Sequence, residues 1–210
     1  QLKCSEKSNR NFFQSLKDKD DKKQTSFICE IKKASPSRGL IREDFDAVDI
    51  AKIYNDSGAT CLSILTDEKY FSGCDDYLAN ARKAVNLPIL RKDFIVDKYQ
   101  IFEAKLIGAD CILLIVAMID DAKLKELEDC ALDLGLSVLI EVHNEEELNR
   151  ALDDHELIKV RVSIGERDMR AQAIDDIIKE TGSELIQKIG KVALIVRRNP
   201  KAHPKLSNLS

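Results

Sequence analysis

The sequence predicts an α/β protein whose parallel strands curl into a barrel. One observation is a set of short apolar runs that end on charged side chains. Phe27-Ile28-Cys29 leads into Glu30-Ile31-Lys32, Leu87-Pro88-Ile89-Leu90 into Arg91-Lys92-Asp93, and Ser137-Val138-Leu139-Ile140 into Glu141-Val142-His143. A buried strand that stops on ions of both signs is unfavourable unless those ions pair or perform chemistry. A ring of parallel strands directs such ends at one site. The second observation is alternation: segments with helical periodicity separate the runs, as in parallel sheets. The third is an internal repeat. Gly58-Ala59-Thr60-Cys61-Leu62-Ser63-Ile64-Leu65 is similar to Gly108-Ala109-Asp110-Cys111-Ile112-Leu113-Leu114-Ile115, each a helix-ending Gly, a short turn and a buried strand.

Taken in order, residues 1–25 form an amino-terminal helical extension and linker. Phe12, Phe13 and Leu16 are the apolar positions of its helix, and Lys17 to Lys23 is a charge run. Strands are predicted to begin near Phe27, Cys61, Leu87, Cys111, Ser137, Lys159 and Val192. Between them, Asp46 to Ser57 presents Ile50, Ile53 and Tyr54 before Gly58, and Asp97 to Ile107 presents Ile101, Ala104 and Leu106 before Gly108. Asp120 caps a helix carrying Leu124, Leu127, Ala131 and Leu134 and ending at Gly135. Asn144 and Glu147 form a capping-box pattern. Seven strands are recognisable and an eighth is missing. The 210 residues suit one barrel domain, with residues 156–210 as its divergent carboxyl-terminal part.

Composition excludes several classes. A hydrophobic content of 44% with 33% charged residues describes a globular protein, and a net charge of −4 gives no nucleic-acid footprint. The longest apolar stretch, Cys111 to Ile119, is too short to cross a bilayer. No membrane partner, no signal peptide and a cytoplasmic location are therefore expected. Six cysteines occur without a C-x-x-C pair and read as packed free thiols. Acids outnumber bases through His155, and the balance reverses beyond it.

The chemistry concentrates at strand ends. Glu30 and Lys32, two apart, project to one face. The following Lys33-Ala34-Ser35-Pro36-Ser37-Arg38-Gly39 loop suits an anionic ligand. Lys92, in an apolar surround, can serve as acid, base or Schiff-base amine. Glu141 among Leu, Ile and Val is a candidate general base with a raised pKa. The competing readings are a structural salt bridge for Glu30 and Lys32, a snorkelling strand-end lysine for Lys92, and pairing with a neighbouring Lys for stability alone for Glu141. His155 and His203 lack metal-ligand neighbours and read as surface residues.

The run Ile28-Cys29-Glu30-Ile31-Lys32-Lys33-Ala34-Ser35-Pro36-Ser37 resembles the first-strand motif of indole-3-glycerol phosphate synthase. So do Leu62-Ser63-Ile64-Leu65-Thr66 with Tyr70-Phe71-Ser72-Gly73, Pro88 to Val96, and Glu141-Val142-His143, in the same order and spacing. The resemblance covers roughly residues 12 to 158. It implies a TIM (β/α)8-type barrel and a tryptophan-pathway lyase. That enzyme closes the indole ring of a carboxyphenylamino-deoxyribulose phosphate with loss of carbon dioxide and water, without metal or organic cofactor. By resemblance, Lys92 is the general acid at the substrate carbonyl and Glu141 the carboxylate that assists dehydration. Glu30 and Lys32 orient substrate and stabilise charge, Ser35 binds phosphate, and Phe94 and Leu113 contact the aromatic ring. Arg167, which aligns with the family's sixth-strand motif, is a further substrate-binding candidate.

The carboxyl-terminal third departs from the family pattern. Gly165 stands where the active-site Asn belongs, and Arg198 and Pro200 replace an acid and a Gly at the seventh strand end. The eighth strand with its phosphate loop is expected to be absent, which leaves an edge open to self-association. Two other functions compete with the lyase: a non-catalytic binding or assembly partner, and a Schiff-base aldolase using Lys92.

Overall fold

The computed structural model describes residues 10–198. Helix α1 (Phe12–Asp21) leads into strand β1 (Ile28–Ile31) and a small hairpin, β2 (Ala34–Ser35) with β3 (Gly39–Leu40). There follow α2 (Ala47–Asp56), β4 (Cys61–Leu65), α3 (Glu68–Phe71), α4 (Asp75–Ala84), β5 (Ile89–Lys92), α5 (Lys98–Ile107) and β6 (Cys111–Ile115). The remainder is α6 (Asp121–Asp133), β7 (Ser137–Val142), α7 (Glu145–Asp154), β8 (Leu157–Arg161), α8 (Arg167–Thr181), β9 (Glu184–Ile189) and β10 (Val192–Val196). One eight-stranded sheet has the order β1-β4-β5-β6-β7-β8-β10-β9. All seven predicted strands are present, and β1 through β8 of this sheet run parallel.

Local chemistry sets the helix boundaries. Asp46 caps α2 through the Val48 and Asp49 amides, and Asp120 caps α6 through that of Lys123. Asp97 and Gln100 make a full capping box on α5. At α7 the pattern is only partly reciprocal. Asn144 accepts from the Glu147 amide at 2.9 Å, but the Glu147 carboxylate takes the His143 amide, one residue further back, at 2.8 Å. The internal repeat is a repeat of hydrogen bonds as well as letters. After Gly58 the Thr60 amide donates to the Phe27 carbonyl, and after Gly108 the Asp110 amide donates to the Ile89 carbonyl, both at 2.9 Å. Both glycines hold positive φ, the conformation that ends the helix and turns the chain onto its strand.

The alternation of the strands separates two cores. Leu62, Ile64, Ile89, Ile112, Leu114, Val138, Ile140 and Ile158 face outward under the helices. Cys61, Leu90, Cys111, Leu113, Leu139, Leu157, Leu194 and Val196 face inward and pack together with Phe12, Phe13 and Leu16 of α1. The amino-terminal helix is thus a plug at one end of the curled sheet rather than an appendage. Above the plug lies a cavity of about 240 Å³ lined by residues of all eight strands.

Two features of the carboxyl-terminal third depart from the sequence expectation. Strand β9 was not predicted: Glu184-Leu185-Ile186-Gln187-Lys188-Ile189 buries only Ile186, as suits an edge strand, so its pattern is weak. It pairs antiparallel with β10 across the Gly190-Lys191 turn, and β10 in turn pairs antiparallel with β8. The eighth position in the sheet is therefore taken by a hairpin strand. No backbone pairing joins β9 to β1 among the described residues. A Gln187 side-chain amide donates instead to the Ser26 carbonyl, and Lys17 meets Glu184 at 3.3 Å.

Because β10 runs backwards, its carboxyl end points away from the ends of the parallel strands. Arg198 therefore lies beside α1, in a depression lined by Phe13, Gln14 and Lys17, and not at the charged rim where the seventh strand was expected to place it. Gly165 sits in the exposed loop before α8. Pro200, like Cys4 and His203, lies outside the described residues.

His155 is a second correction. It is 2% exposed, and its Nδ1 lies 2.7 Å from the Glu128 carboxylate, itself buried. The pair ties α6 to the segment entering β8; a buried polar group needs such a partner. Cys29, Cys61, Cys74, Cys111 and Cys130 are free. Burial pushes the Cys61 and Cys111 thiols well up, as suits inert core residues.

Candidate active site

The carboxyl ends of the parallel strands bring opposite charges to the mouth of the cavity. Glu30 on β1 is met by Lys92 of β5, with Nζ 2.5 Å from Oε2, and by Lys32 of its own segment on Oε1. Across the mouth, Glu141 of β7 is met by Lys159 of β8 and by His143, whose Nε2 lies 3.1 Å away. Below these ions the wall is apolar: Ile28, Leu90, Leu113, Leu139 and Leu194. The result is an apolar floor under a rim of acids and bases.

Burial alone would raise both carboxyls. At Glu30 this is outweighed by Lys92 and Lys32, which hold it below its usual value of 4.5. Burial likewise acts on Glu141, but Lys159, Lys92 and His143 keep it low. The raised pKa expected for Glu141 is thus corrected. The apolar neighbours are present, but a lysine invisible in its local sequence stands on the next strand. Groups held below their unfolded values add stability at neutral pH, and this is lost as pH falls from about 4.5 through the folded values.

Supporting elements fix the rim. The Arg91-Lys92-Asp93 triplet divides between faces. Lys92 points inward, whereas Arg91, buried, turns outward to Glu103 at 2.8 Å, Asp75 at 3.0 Å and Asp93 at 3.2 Å. Thr66 donates to Asp93 at 2.6 Å, joining the ends of β4 and β5. The loop after β4 folds back so closely that a Cβ on Gly73 would stand 2.6 Å from the Leu65 carbonyl oxygen. This places Tyr70 edge-on to Phe94, at 5.8 Å between ring centroids, with Phe71 at 6.2 Å.

Of the residues singled out in the sequence, the structure brings Glu30, Lys32, Lys92 and Leu113 to the cavity and its mouth, with Glu141 joined through Lys159. Ser35 stands half-buried in the β2–β3 hairpin that leaves β1, and Phe94 in the loop that leaves β5. Arg167 is the exposed first residue of α8 and does not line the cavity. Lys159 and Gln187 were missed. The alternation of Leu157 with Lys159 is the one sequence signal for the former, because it puts a cation on the inner face. Among the described residues no group of three or more His, Cys, Asp or Glu side chains is placed to hold a metal. None of the described helices is long and apolar enough to cross a membrane.

The family model for indole-3-glycerol phosphate synthase matches residues 1–198. A relative of that name from Azospirillum brasilense is 54% identical over 164 residues, covering 78% of this chain and 62% of its own. One from Polynucleobacter necessarius subsp. necessarius is 55% identical over 144 residues, covering 69% and 54%. A third, from Acidithiobacillus ferrooxidans, is 50% identical over 187 residues, covering 89% and 69%. The chain thus spans 54–62% of the length of the first two. Among solved structures, a tryptophan synthase subunit alpha from Legionella pneumophila superposes with a TM-score of 0.58 at 13% identity, over 82% of this chain and 74% of its own. That likeness is one of barrel fold.

Proposed function

Because the chain belongs to the indole-3-glycerol phosphate synthase family, we propose that its rim closes the indole ring of 1-(2-carboxyphenylamino)-1-deoxyribulose 5-phosphate, releasing carbon dioxide and water. The observation that carries this reading is the convergence of Lys92 with Glu30, and of Glu141 with Lys159, over the Leu113–Leu139 floor. The aryl ring rests on that floor. Lys92 donates a proton to the ketone oxygen as the carboxylate-bearing ring carbon attacks the carbonyl carbon, and Glu30 steers the ammonium toward it. Loss of carbon dioxide restores the aromatic ring. Loss of water then needs a base for the departing proton, the role of Glu141, and an acid for the hydroxyl. Ser35 and Phe94, on loops at the same end, take the phosphate and the ring edge.

Aldolase chemistry is less well supported, because a Schiff-base amine must be free to attack and the Lys92 amine sits 2.5 Å from Glu30. The reading is tested by incubating the purified chain with the carboxyphenylamino substrate and following indole absorbance together with carbon dioxide release. Formation of both products in equal amounts is expected. Absence of both overturns the lyase and favours a binding role. A companion prediction follows from the reversal of β10. Arg198→Ala is expected to leave the rate of indole formation within about twofold of the parent, as for a surface change away from the chemistry. A large loss would place that strand end at the rim after all.

A further inference from the structure

Glu141 and Lys159 are direct partners in the register of β7 and β8, so their side chains leave the sheet side by side on its inner face. They form an ion pair. Glu141 is 14% exposed at the side chain, and Lys159, 25% exposed, also lines the cavity. On its other flank Glu141 is in register with Ile115 of β6, which offers no charge. The remaining groups that face it are His143 on its own strand and Lys92 from β5. His143 itself turns its Nδ1 toward Glu147 of α7 at 3.5 Å, and Lys92 is engaged by Glu30. Lys159 is therefore the cation most fully committed to Glu141.

We propose that Lys159 is a positioning residue that holds Glu141 ionised and aimed into the cavity as the base for dehydration. This rests on the lyase reading above. A base must be unprotonated before it acts, and a carboxylate walled by Ile115 and Leu139 would otherwise favour its neutral form. The pair resolves that conflict: the ammonium lowers the carboxyl below 4.5, so Glu141 is ready throughout the neutral range. Its low basicity limits its pull on the proton, a compromise that fits a step in which the leaving hydroxyl is protonated at the same time.

The test uses two independent readouts on the full chain. The first is a carbon-13 NMR titration of Glu141 in protein labelled at Glu carboxyls, with Glu141→Gln identifying its resonance. The midpoint is expected below 4.5 in the parent, raised by about one unit in Lys159→Met, and lowered again in Lys159→Arg. Lys159→Gln substitutes for the Met variant should that one not fold. The second is the pH profile of kcat in Lys159→Met, whose acid limb is expected to move up with the midpoint while the alkaline plateau falls because Glu141 is no longer held in place, both recovering in Lys159→Arg. An unmoved midpoint overturns the pairing. A moved midpoint with an unmoved acid limb overturns the catalytic role of the pair. If the parent chain makes no indole product, the lyase reading fails and takes the dehydration role with it, while the titration still decides whether Lys159 sets the state of Glu141.

Discussion

Lys92→Ala is expected to lower kcat/KM for indole formation by about 10³-fold, within the range for loss of a positioned general acid. No other described lysine is positioned like it. Lys32 reaches the far oxygen of Glu30 and Lys159 is engaged by Glu141 across the mouth, whereas Lys92 projects from β5 into the cavity above Leu90. Removing it takes away the proposed proton donor and also the principal charge that keeps Glu30 ionised. Glu30 then keeps Lys32 alone, so the acid limb of any residual activity should move upward in pH. Indole absorbance under single-turnover conditions checks the rate, and circular dichroism checks that the fold persists. A variant that folds and retains more than about a tenth of the parental kcat/KM would remove Lys92 from the acid role.

Phe12→Ala should destabilise the protein by about 3–5 kcal/mol, the cost of deleting a large buried aromatic side chain and leaving a cavity. Phe12 is fully buried although it stands on the first helix, outside the sheet. With Phe13 and Leu16 it closes the end of the curled sheet against Cys61, Cys111, Leu157 and Val196. The Cys61 thiol donates to the Phe12 carbonyl at 3.8 Å. A loss of that size is a large share of the 5–15 kcal/mol that typical domains possess. A urea titration followed by circular dichroism measures it. A change below about 1 kcal/mol would mean that the helix does not plug the barrel. The milder Phe12→Leu should fall between, because most of the volume is kept.

Much of the architecture was legible because its signals are local. Gly58 and Gly108 announced two equivalent helix-to-strand turns, and both close with the same backbone hydrogen bond. The alternating strands announced two faces, and Cys61, Leu113 and Leu139 fall on the inner one while Leu62, Leu114 and Ile140 fall on the outer. Glu30, Lys32, Lys92 and Glu141 were legible as charged strand-end residues for the same reason, since each follows an apolar run, and the structure brings them to one cavity mouth. Their partners were not. Nothing near Glu141 in the chain names Lys159, eighteen residues later, nor does His155 announce Glu128. Such pairs depend on strand register and helix docking, which bring distant segments to hydrogen-bonding range.

By itself the sequence determined seven of the eight strands of the large sheet, all but the weakly patterned β9, which face their side chains take, and which ions stand at the ends of the first parallel strands. These follow from periodicity, capping and turn chemistry acting over a few residues. Only the tertiary structure decided the direction of the last strand. Val192-Ala193-Leu194-Ile195-Val196 reads as the same buried run in either sense. The two-residue Gly190-Lys191 connection to β9 leaves no length for a crossover, so β10 returns antiparallel. That reversal carries Arg198 away from the rim, the β9 edge strand it pairs with brings Gln187 and Ile189 into the cavity wall, and the β7–β8 register sets Lys159 beside Glu141, all contacts between segments far apart in the chain.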